Sequence, residues 1–207
     1  SQGAQPPEVA ILGAGSGNDV SAALACGVKH VEAVEIDPVI NKLGIAYHPR
    51  RPFQDPRVTV HIMDGRRFLR SFRGKLDIVS FGLVDSLTLL LGFSSARLEN
   101  NLFTENSFRD AKALIRPDGI VVVYNDFREC WLVARYYHQM VNLFGRDKVL
   151  LITLPARPHM SVKDGGMTAS AMIIAGNIEP VRKWLQARPG GSIETQFDDT
   201  WQQVIPA

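Results

Sequence analysis

The chain has 207 residues, of which 45% are hydrophobic and 21% charged, as in an ordinary globular domain. Its 23 basic and 21 acidic residues give a formal net charge of +2. This balance argues against a nucleic-acid partner, because nucleic-acid-binding domains concentrate basic charge. The two cysteines, Cys26 and Cys130, cannot form a disulfide framework, and we expect both to pack as small apolar groups in a reducing compartment.

Short apolar runs alternate with helix-like segments along the chain, a pattern typical of βαβ units around a parallel sheet. The predicted strands cover residues 9–12, 31–36, 58–63, 76–84, 120–124, 149–154 and 169–175. The predicted helices cover residues 19–25, 65–72, 104–115, 128–144 and 180–187, and a further helix begins at Pro38. Thr104 is expected to cap its helix, and residues 116–119 predict a turn.

The order of these elements predicts the fold. The run 76–84 is continuously apolar after Asp77, so we expect it near the centre of the sheet. The last two strands have no helix between them, which indicates an antiparallel hairpin at the sheet edge. We therefore predict an α/β domain with a doubly wound, mostly parallel, seven-stranded sheet and a C-terminal antiparallel hairpin.

The ends of the sequence suggest how the domain is bounded. Residues 1–8 are interpreted as a linker or cloning remnant and residues 9–207 as one domain, which we expect to come from a longer protein. The most apolar stretch, 76–93, contains Asp77 and Asp85, so it does not predict a membrane-spanning helix.

Polar features follow the first two strands at the edge where open α/β sheets bind ligands. Gly13, Gly15 and Gly17 lie in a turn whose backbone could approach a ligand closely, although such a turn can also simply join a strand to a helix. Glu35 ends the second strand about 20 residues further on, where an acid can accept hydrogen bonds from both ribose hydroxyls. Its alternative is a solvated acid. The two features together favour a nucleoside site.

Two further carboxylates follow strands three and four. Asp64, followed by Gly65, could accept a hydrogen bond from an adenine amino group, and Asp is also a favoured helix N-cap; both roles are compatible. Asp85, followed by Ser86, is expected over the centre of the cofactor. It suits a general base or an anchor for an ammonium group, with an N-cap as the alternative.

The glycine pattern separates two cofactor classes. Asn18 stands where the dinucleotide pattern G-x-G-x-x-G has its last glycine, whereas G-x-G-x-G is the commoner form in S-adenosylmethionine enzymes. The expected cofactor is therefore S-adenosylmethionine or its decarboxylated form. No metal is expected, because the five histidines are scattered without metal-ligand spacing.

Several motifs in consistent order over residues 9–125 resemble the spermidine synthase family of class I, Rossmann-like transferases. They are Val9–Gly17, Val34–Pro38, Asp55–Val58, Asp64–Arg66, Leu102–Thr104 and Leu114–Gly119. Ordinary methyltransferases often carry an acid two residues before the first glycine, where this chain has Ile11, as that family would. The runs 85–88, 94–100 and 198–201 are similar to spermidine synthase-like domains attached to multi-pass bacterial membrane proteins.

The resemblance implies roles for individual residues. The cofactor would lie on the glycine turn, Glu35 would hold the ribose and Asp64 the adenine; the full set of candidate cofactor contacts is Gly13, Gly15, Ser16, Gly17, Glu35, Ile36, Asp64 and Gly65. The chain departs from the family at Ser16, where Asp is usual, and at Asn18, where Gly is usual. After strand four the family carries Asp-Ser/Thr-x-Asp-Pro. The first Asp of this family motif is the base that deprotonates the acceptor amine. Direct alignment places residues 80–82 at the position of this base, and Asp85 reaches it only if the residues in between form a bulge.

Three residues are candidate substrate contacts. Ser86 adjoins the expected base. Arg97 could pair with an anionic substrate or the cofactor carboxylate, with a loop salt bridge as the alternative. Tyr124 ends strand five beside the pocket, and simple strand termination is its alternative.

Three hypotheses follow. The first is an enzyme that transfers an aminopropyl or methyl group from the sulfonium donor to an amine or another small acceptor, with Asp85 as its catalytic residue. The second is a regulatory domain of a membrane protein that binds the nucleoside without chemistry. The third, a NAD-dependent oxidoreductase, is opposed by Asn18. The expected location is the cytosol, as a free domain or attached to a membrane-spanning region, and a homodimer stays open.

Overall fold

The computed structural model describes residues 5–82, 102–127, 130–154 and 169–187. The strands in these ranges are β1 (Glu8–Leu12), β2 (His30–Glu35), β3 (Val58–Ile62), β4 (Leu76–Phe81), β5 (Ile115–Phe127), β6 (Val149–Leu154) and β7 (Ala169–Gly176). The α-helices are α1 (Asn18–Ala25), α2 (Pro38–Tyr47), α3 (Gly65–Ser71), α4 (Glu105–Leu114), α5 (Cys130–Phe144) and α6 (Glu179–Gln186). Two short 3₁₀ helices cover Pro52–Gln54 and Arg146–Lys148.

The strands form one sheet in the order β3-β2-β1-β4-β5-β7-β6. The pairs from β3 to β5 are parallel, whereas β7 runs antiparallel to both β5 and β6. This topology confirms the predicted doubly wound sheet and its terminal hairpin. From β1 the chain adds β2 and then β3 towards one edge of the sheet. It then returns past β1 and adds β4, which starts the half of the sheet that extends towards the other edge. The crevice between the carboxyl ends of β1 and β4 is therefore the topological switch point, where such sheets bind ligands.

Apolar side chains cover both faces of the sheet. Along β1, Ala10 and Leu12 pack on the face that carries α3, α4 and α5, while Val9 and Ile11 pack on the face that carries α1. Helix α6 packs against β6 and β7 on the α1 face. Because the central strands are buried on both sides, their sequences are largely continuous apolar runs, whereas the edge strand β3 is only partly buried and alternates apolar and polar residues.

Local chain signals account for most boundaries. The amide of Ser107 donates to Thr104 Oγ1 at 3.3 Å, which confirms Thr104 as the N-cap of α4. Strand β5 begins earlier than predicted: Ile115 pairs with Leu76 and Ile120 with Ile78, so the expected turn at 116–119 lies inside the strand as an irregularity.

The expectation of a buried Cys26 is wrong. Cys26 is the C-cap residue of α1, and its thiol is free and exposed. Among the helices in the described ranges, none combines the length and apolar character needed to cross a membrane.

Charged side chains join the amino ends of three neighbouring strands. Arg116 of β5 donates to Asp77 Oδ2 of β4 at 2.8 Å and to Glu8 Oε2 of β1 at 3.1 Å. The amide of Glu8 also donates to Asp77 Oδ2, at 2.7 Å. Hydrogen bonds from Lys29 and then Arg116 lower the pKa of Glu8 below its ordinary value. We name Glu8, Asp77 and Arg116 the amino-end cluster.

Candidate functional site

The glycine turn follows β1 directly. Gly13, Gly15 and Gly17 have φ angles of 79°, 54° and 102°, in the left-handed region that glycine adopts without strain. The amides of Gly13 and Ala14 both donate to Val34 O at 2.9 Å, which fixes the turn against the end of β2. The turn is thus held rigidly at the switch point.

The last two glycines serve different purposes. A Cβ on Gly17 would lie 2.8 Å from Pro52 Cγ and 2.9 Å from Phe53 Cε2, so this glycine is needed for internal packing. A Cβ on Gly15 would meet no atom closer than Gly13 O, at 4.0 Å. The open side of the turn is therefore at Gly15, and Ser16 beside it is exposed.

Glu35 lies beneath this open side. Its side chain is buried, with 6% of the residue exposed. Oε2 accepts a hydrogen bond from Gly15 N at 2.7 Å, and Oε1 accepts one from Asp37 N at 2.8 Å. A carboxylate offers about four acceptor positions, so two remain, one on each oxygen. The sequence predicted the acid as a ligand contact but not its second role, which is to lock the turn to the start of α2.

The site continues from Glu35 towards β3 through three further residues, Ile36, Asp64 and Gly65. Ile36, the residue after Glu35, is 46% exposed. Asp64 caps α3: its Oδ1 accepts from Arg67 N at 3.0 Å. A Cβ on Gly65 would lie 2.9 Å from Leu102 Cδ1, so Gly65 allows close packing of that residue.

Helix α2 supports the turn from outside. A Cβ on Gly44 would lie 2.5 Å from Ser16 O, so the helix backbone lies directly against the turn. Asn41, one helical turn earlier, is buried at 5% exposure, and its Nδ2 has no hydrogen-bond partner among the described residues.

An acid that the sequence analysis missed lies at the other side of the turn. Asp19, in the first turn of α1, accepts a hydrogen bond from the Tyr124 hydroxyl through Oδ2. The same oxygen would lie 3.2 Å from a Cβ on Gly82, the residue that follows β4. Gly82 N in turn donates to Leu12 O at 2.9 Å. Asp19 therefore joins the carboxyl ends of β1, β4 and β5.

The predicted contacts that follow strands one, two, three and five lie along the carboxyl edge of the sheet in the order Asp64, Glu35, the glycine turn and Tyr124. Asp85, Ser86 and Arg97 lie outside the described residues, so their roles stay predictions. Among the residues that the structure does describe, no group of three or more His, Cys, Asp or Glu could hold a metal ion.

A separate cavity of about 810 Å³ lies at the opposite edge of the sheet, near the amino end of β5. Lys75 and Arg116 are among the residues that line it, but Lys75 donates to Ala113 O at 2.6 Å and Arg116 is held in the amino-end cluster. Because these cations are used within the protein, and because the switch point is at the other edge, we assign the ligand site to the carboxyl edge.

Comparisons with known proteins identify the family and the fold of the chain. The profile of the spermine/spermidine synthase domain family matches residues 2–154. Two similar curated proteins are polyamine aminopropyltransferases. The one from Leptospira biflexa serovar Patoc is 33% identical over 119 residues, 56% of this chain and 39% of its own length. The one from Pyrobaculum aerophilum is 34% identical over 125 residues, 57% of this chain and 40% of its own length. The chain thus spans well under half of these relatives.

Solved structures show the same fold. The spermidine synthase from Thermotoga maritima superposes with a TM-score of 0.64 at 16% identity, covering 98% of this chain and 66% of that one. Human methyltransferase-like protein 13, in complex with SAH, superposes with a TM-score of 0.56 at 19% identity, covering 83% of this chain and 72% of that one. At these identities the likeness concerns the fold alone.

Proposed function

The chain belongs to the spermine/spermidine synthase domain family, and on this premise we propose that it transfers an aminopropyl group from decarboxylated S-adenosylmethionine to a small amine. The observation that carries the proposal is Glu35. A buried carboxylate with one acceptor position left on each oxygen, beside an open glycine turn at the switch point, suits the two hydroxyls of a ribose.

The neighbouring residues supply a place for the base. Adenine would pack on the exposed side chain of Ile36, and its amino group would donate to Asp64, whose cap uses only Oδ1 among the described residues. Gly65, next to Asp64, packs against Leu102, and Ser16 adjoins the open side of the turn at Gly15. This arrangement would hold the nucleoside along the edge from β1 to β3.

The rest of the donor would then extend from the ribose over the glycine turn towards β4. In the reaction, the lone pair of the acceptor nitrogen attacks the propyl carbon bonded to sulfur. The C–S bond breaks, its electron pair stays on sulfur, and neutral methylthioadenosine leaves. The acceptor amine loses one proton, for which Asp85 is the predicted base. The main contribution of the protein would be to align the two reactants and exclude water.

The discriminating experiment is calorimetry with four ligands: decarboxylated S-adenosylmethionine, S-adenosylmethionine, methylthioadenosine and NAD. We expect binding of the first and third, with the decarboxylated donor preferred over S-adenosylmethionine. A preference for S-adenosylmethionine would favour methyl transfer, and binding of NAD alone would overturn the proposal.

Turnover is tested separately, with the decarboxylated donor and a panel of di- and polyamines. We expect methylthioadenosine to form together with an aminopropylated amine, and Asp85→Asn to abolish turnover while donor affinity stays nearly unchanged. Asp118→Asn, in the strand irregularity at the opposite edge, is the matched control. Donor binding without product for every amine would instead favour the regulatory domain. That hypothesis is motivated by residues 80–82, which align with the family's base and contain no acid.

The proposal also concerns where in the cell this domain acts, and it rests on the sequence motifs at 85–88, 94–100 and 198–201. They support a domain that works in the cytosol, attached to a membrane-spanning region of a longer protein. Detection of the full-length protein in a membrane fraction, with this domain accessible to protease only from the cytosolic side, would test it.

A further inference from the structure

We infer that Asp19 recognises the cationic end of the donor and makes the site selective for a donor without a carboxylate. This inference rests on the proposed function and deepens it. Its starting point is the position of one oxygen, Asp19 Oδ2, which accepts a hydrogen bond from Tyr124 of β5 and lies beside Gly82, the residue after β4.

The chain leaves space for this carboxylate. A Cβ on Gly82 would lie 3.2 Å from Asp19 Oδ2, 3.1 Å from Leu12 O and 3.2 Å from Gly13 O, distances that real Cβ atoms rarely show. Any larger residue after β4 would therefore push against the acid or against the end of β1. Gly82 and Asp19 form a matched pair, in which the missing side chain admits the carboxylate to the switch-point crevice.

Tyr124 fixes where the negative charge lies. Its hydroxyl donates to Oδ2, and no other described residue donates to this carboxylate, which leaves Oδ1 and the second lone pair of Oδ2 unused within the described ranges. Asp19 is half-buried, in the first turn of α1, where the helix dipole favours a negative charge. The carboxyl group is therefore held in a defined direction rather than free in solvent.

The order of strands determines which part of the donor it meets. Glu35 ends β2, whereas Asp19 lies over β4, which is two strand spacings or about 10 Å away, on the far side of the glycine turn. If Glu35 holds the ribose and the base extends towards β3, the sulfonium and its propyl chain extend towards Asp19. A carboxylate there attracts the sulfonium and a terminal ammonium, and repels the α-carboxylate of S-adenosylmethionine.

The test compares Asp19→Asn with wild type for three ligands: decarboxylated S-adenosylmethionine, S-adenosylmethionine and methylthioadenosine, which is neutral. Asn keeps an acceptor for Tyr124 and removes the charge. We expect affinity for the decarboxylated donor to fall about 10- to 100-fold, the value of a hydrogen bond to a charged group. Affinity for methylthioadenosine should change less than about threefold, and the preference for the decarboxylated donor over S-adenosylmethionine should shrink or reverse.

Tyr124→Phe tests the positioning role. It keeps the charge and removes the donor, so the preference between the two donors should weaken less than in Asp19→Asn. Asp37→Asn is the matched control, because Asp37 is also an acid beside the turn but caps α2 on the other side of β1. Its donor preference should equal that of wild type.

The outcomes separate the two claims. If wild type does not bind methylthioadenosine, the proposed function fails. If wild type binds it and Asp19→Asn keeps the full donor preference, the function stands and the inference about Asp19 is overturned. If Asp19→Asn loses affinity for all three ligands equally, its role is to shape the turn, and the inference is again overturned.

Discussion

Replacing Glu35 by Gln tests both roles assigned to this residue, which are to hold the glycine turn and to bind the ribose. The carboxylate accepts from two backbone amides, Gly15 N at 2.7 Å and Asp37 N at 2.8 Å. Gln keeps only one acceptor oxygen, and its amide NH₂ would face the other backbone N–H. One buried donor is then left without a partner, which costs about 1–3 kcal/mol. For a domain of this size we expect the melting temperature to fall by roughly 2–12 °C.

The same substitution should weaken nucleoside binding. Only one oxygen remains for the ribose, and its charge is gone, so a loss of about 1.5–3 kcal/mol corresponds to roughly 10- to 150-fold weaker binding. The assays are thermal unfolding and calorimetric titration with methylthioadenosine. Glu32→Gln is the matched control: it lies on the same strand and accepts from His61 at 2.6 Å, but it does not contact the turn.

Two results would refute the reasoning on Glu35. A folded Glu35→Gln protein that binds methylthioadenosine as tightly as wild type would show that Glu35 does not hold the ribose. An unchanged melting temperature would show that the turn is not locked by the two amide bonds. Glu32→Gln should leave the affinity within about twofold of wild type, because it changes neither contact.

Other substitutions test the supports of the site. Gly44→Ala should lower the melting temperature, because its new Cβ would lie 2.5 Å from Ser16 O. This clash outweighs the gain of about 1 kcal/mol in helix propensity. A melting temperature at or above that of wild type would contradict the close packing of α2 on the glycine turn. Asp64→Ala should lower the free energy of unfolding by about 1 kcal/mol through the lost cap, and should reduce discrimination between adenosine and inosine analogues of the ligand. Unchanged discrimination would limit Asp64 to capping. The hydrogen bond from Arg57 lowers the pKa of Asp55 from 3.8 to about 2. The Asp55–Arg57 pair therefore stabilises the fold fully above the ordinary pKa of Asp55, and this stabilisation is lost as the pH falls through 2. Wild type and Asp55→Asn should differ in melting temperature at pH 6, and the two melting temperatures should converge near pH 2. A difference that stays constant with pH would contradict the ion pair.

Features that depend on local sequence were predictable. The apolar runs identified the central strands because these strands are buried on both faces, and the edge strand β3 was identified from a partly alternating run. Thr104 and Asp64 were predictable caps, since a short polar side chain before an apolar segment satisfies the first free amides of a helix. The doubly wound sheet with its terminal hairpin followed from the alternation of elements, which allows few other arrangements.

Features that depend on distant contacts were not predictable. Asp19 and Tyr124 are 105 positions apart and meet only because β5 lies two strands from β1. The pattern at 116–119 favours a turn, but pairing of the flanking residues with β4 keeps it within β5. Likewise Gly17, predicted for its approach to a ligand, is required by the packing of Phe53, a partner that the motif itself does not reveal.

The amino-end cluster fixes the alignment of the strands at the edge of the sheet opposite to the ligand site. Glu8, Asp77 and Arg116 join β1, β4 and β5 at one end, and the site residues Asp19, Gly82 and Tyr124 lie near the other ends of these strands. A slide of one residue in any of them would turn its side chains to the opposite face. With the alignment fixed away from the ligand, residues at the carboxyl ends can be exchanged during evolution without loosening the sheet. Donor and acceptor preference can thus diverge among descendants while the scaffold is inherited unchanged.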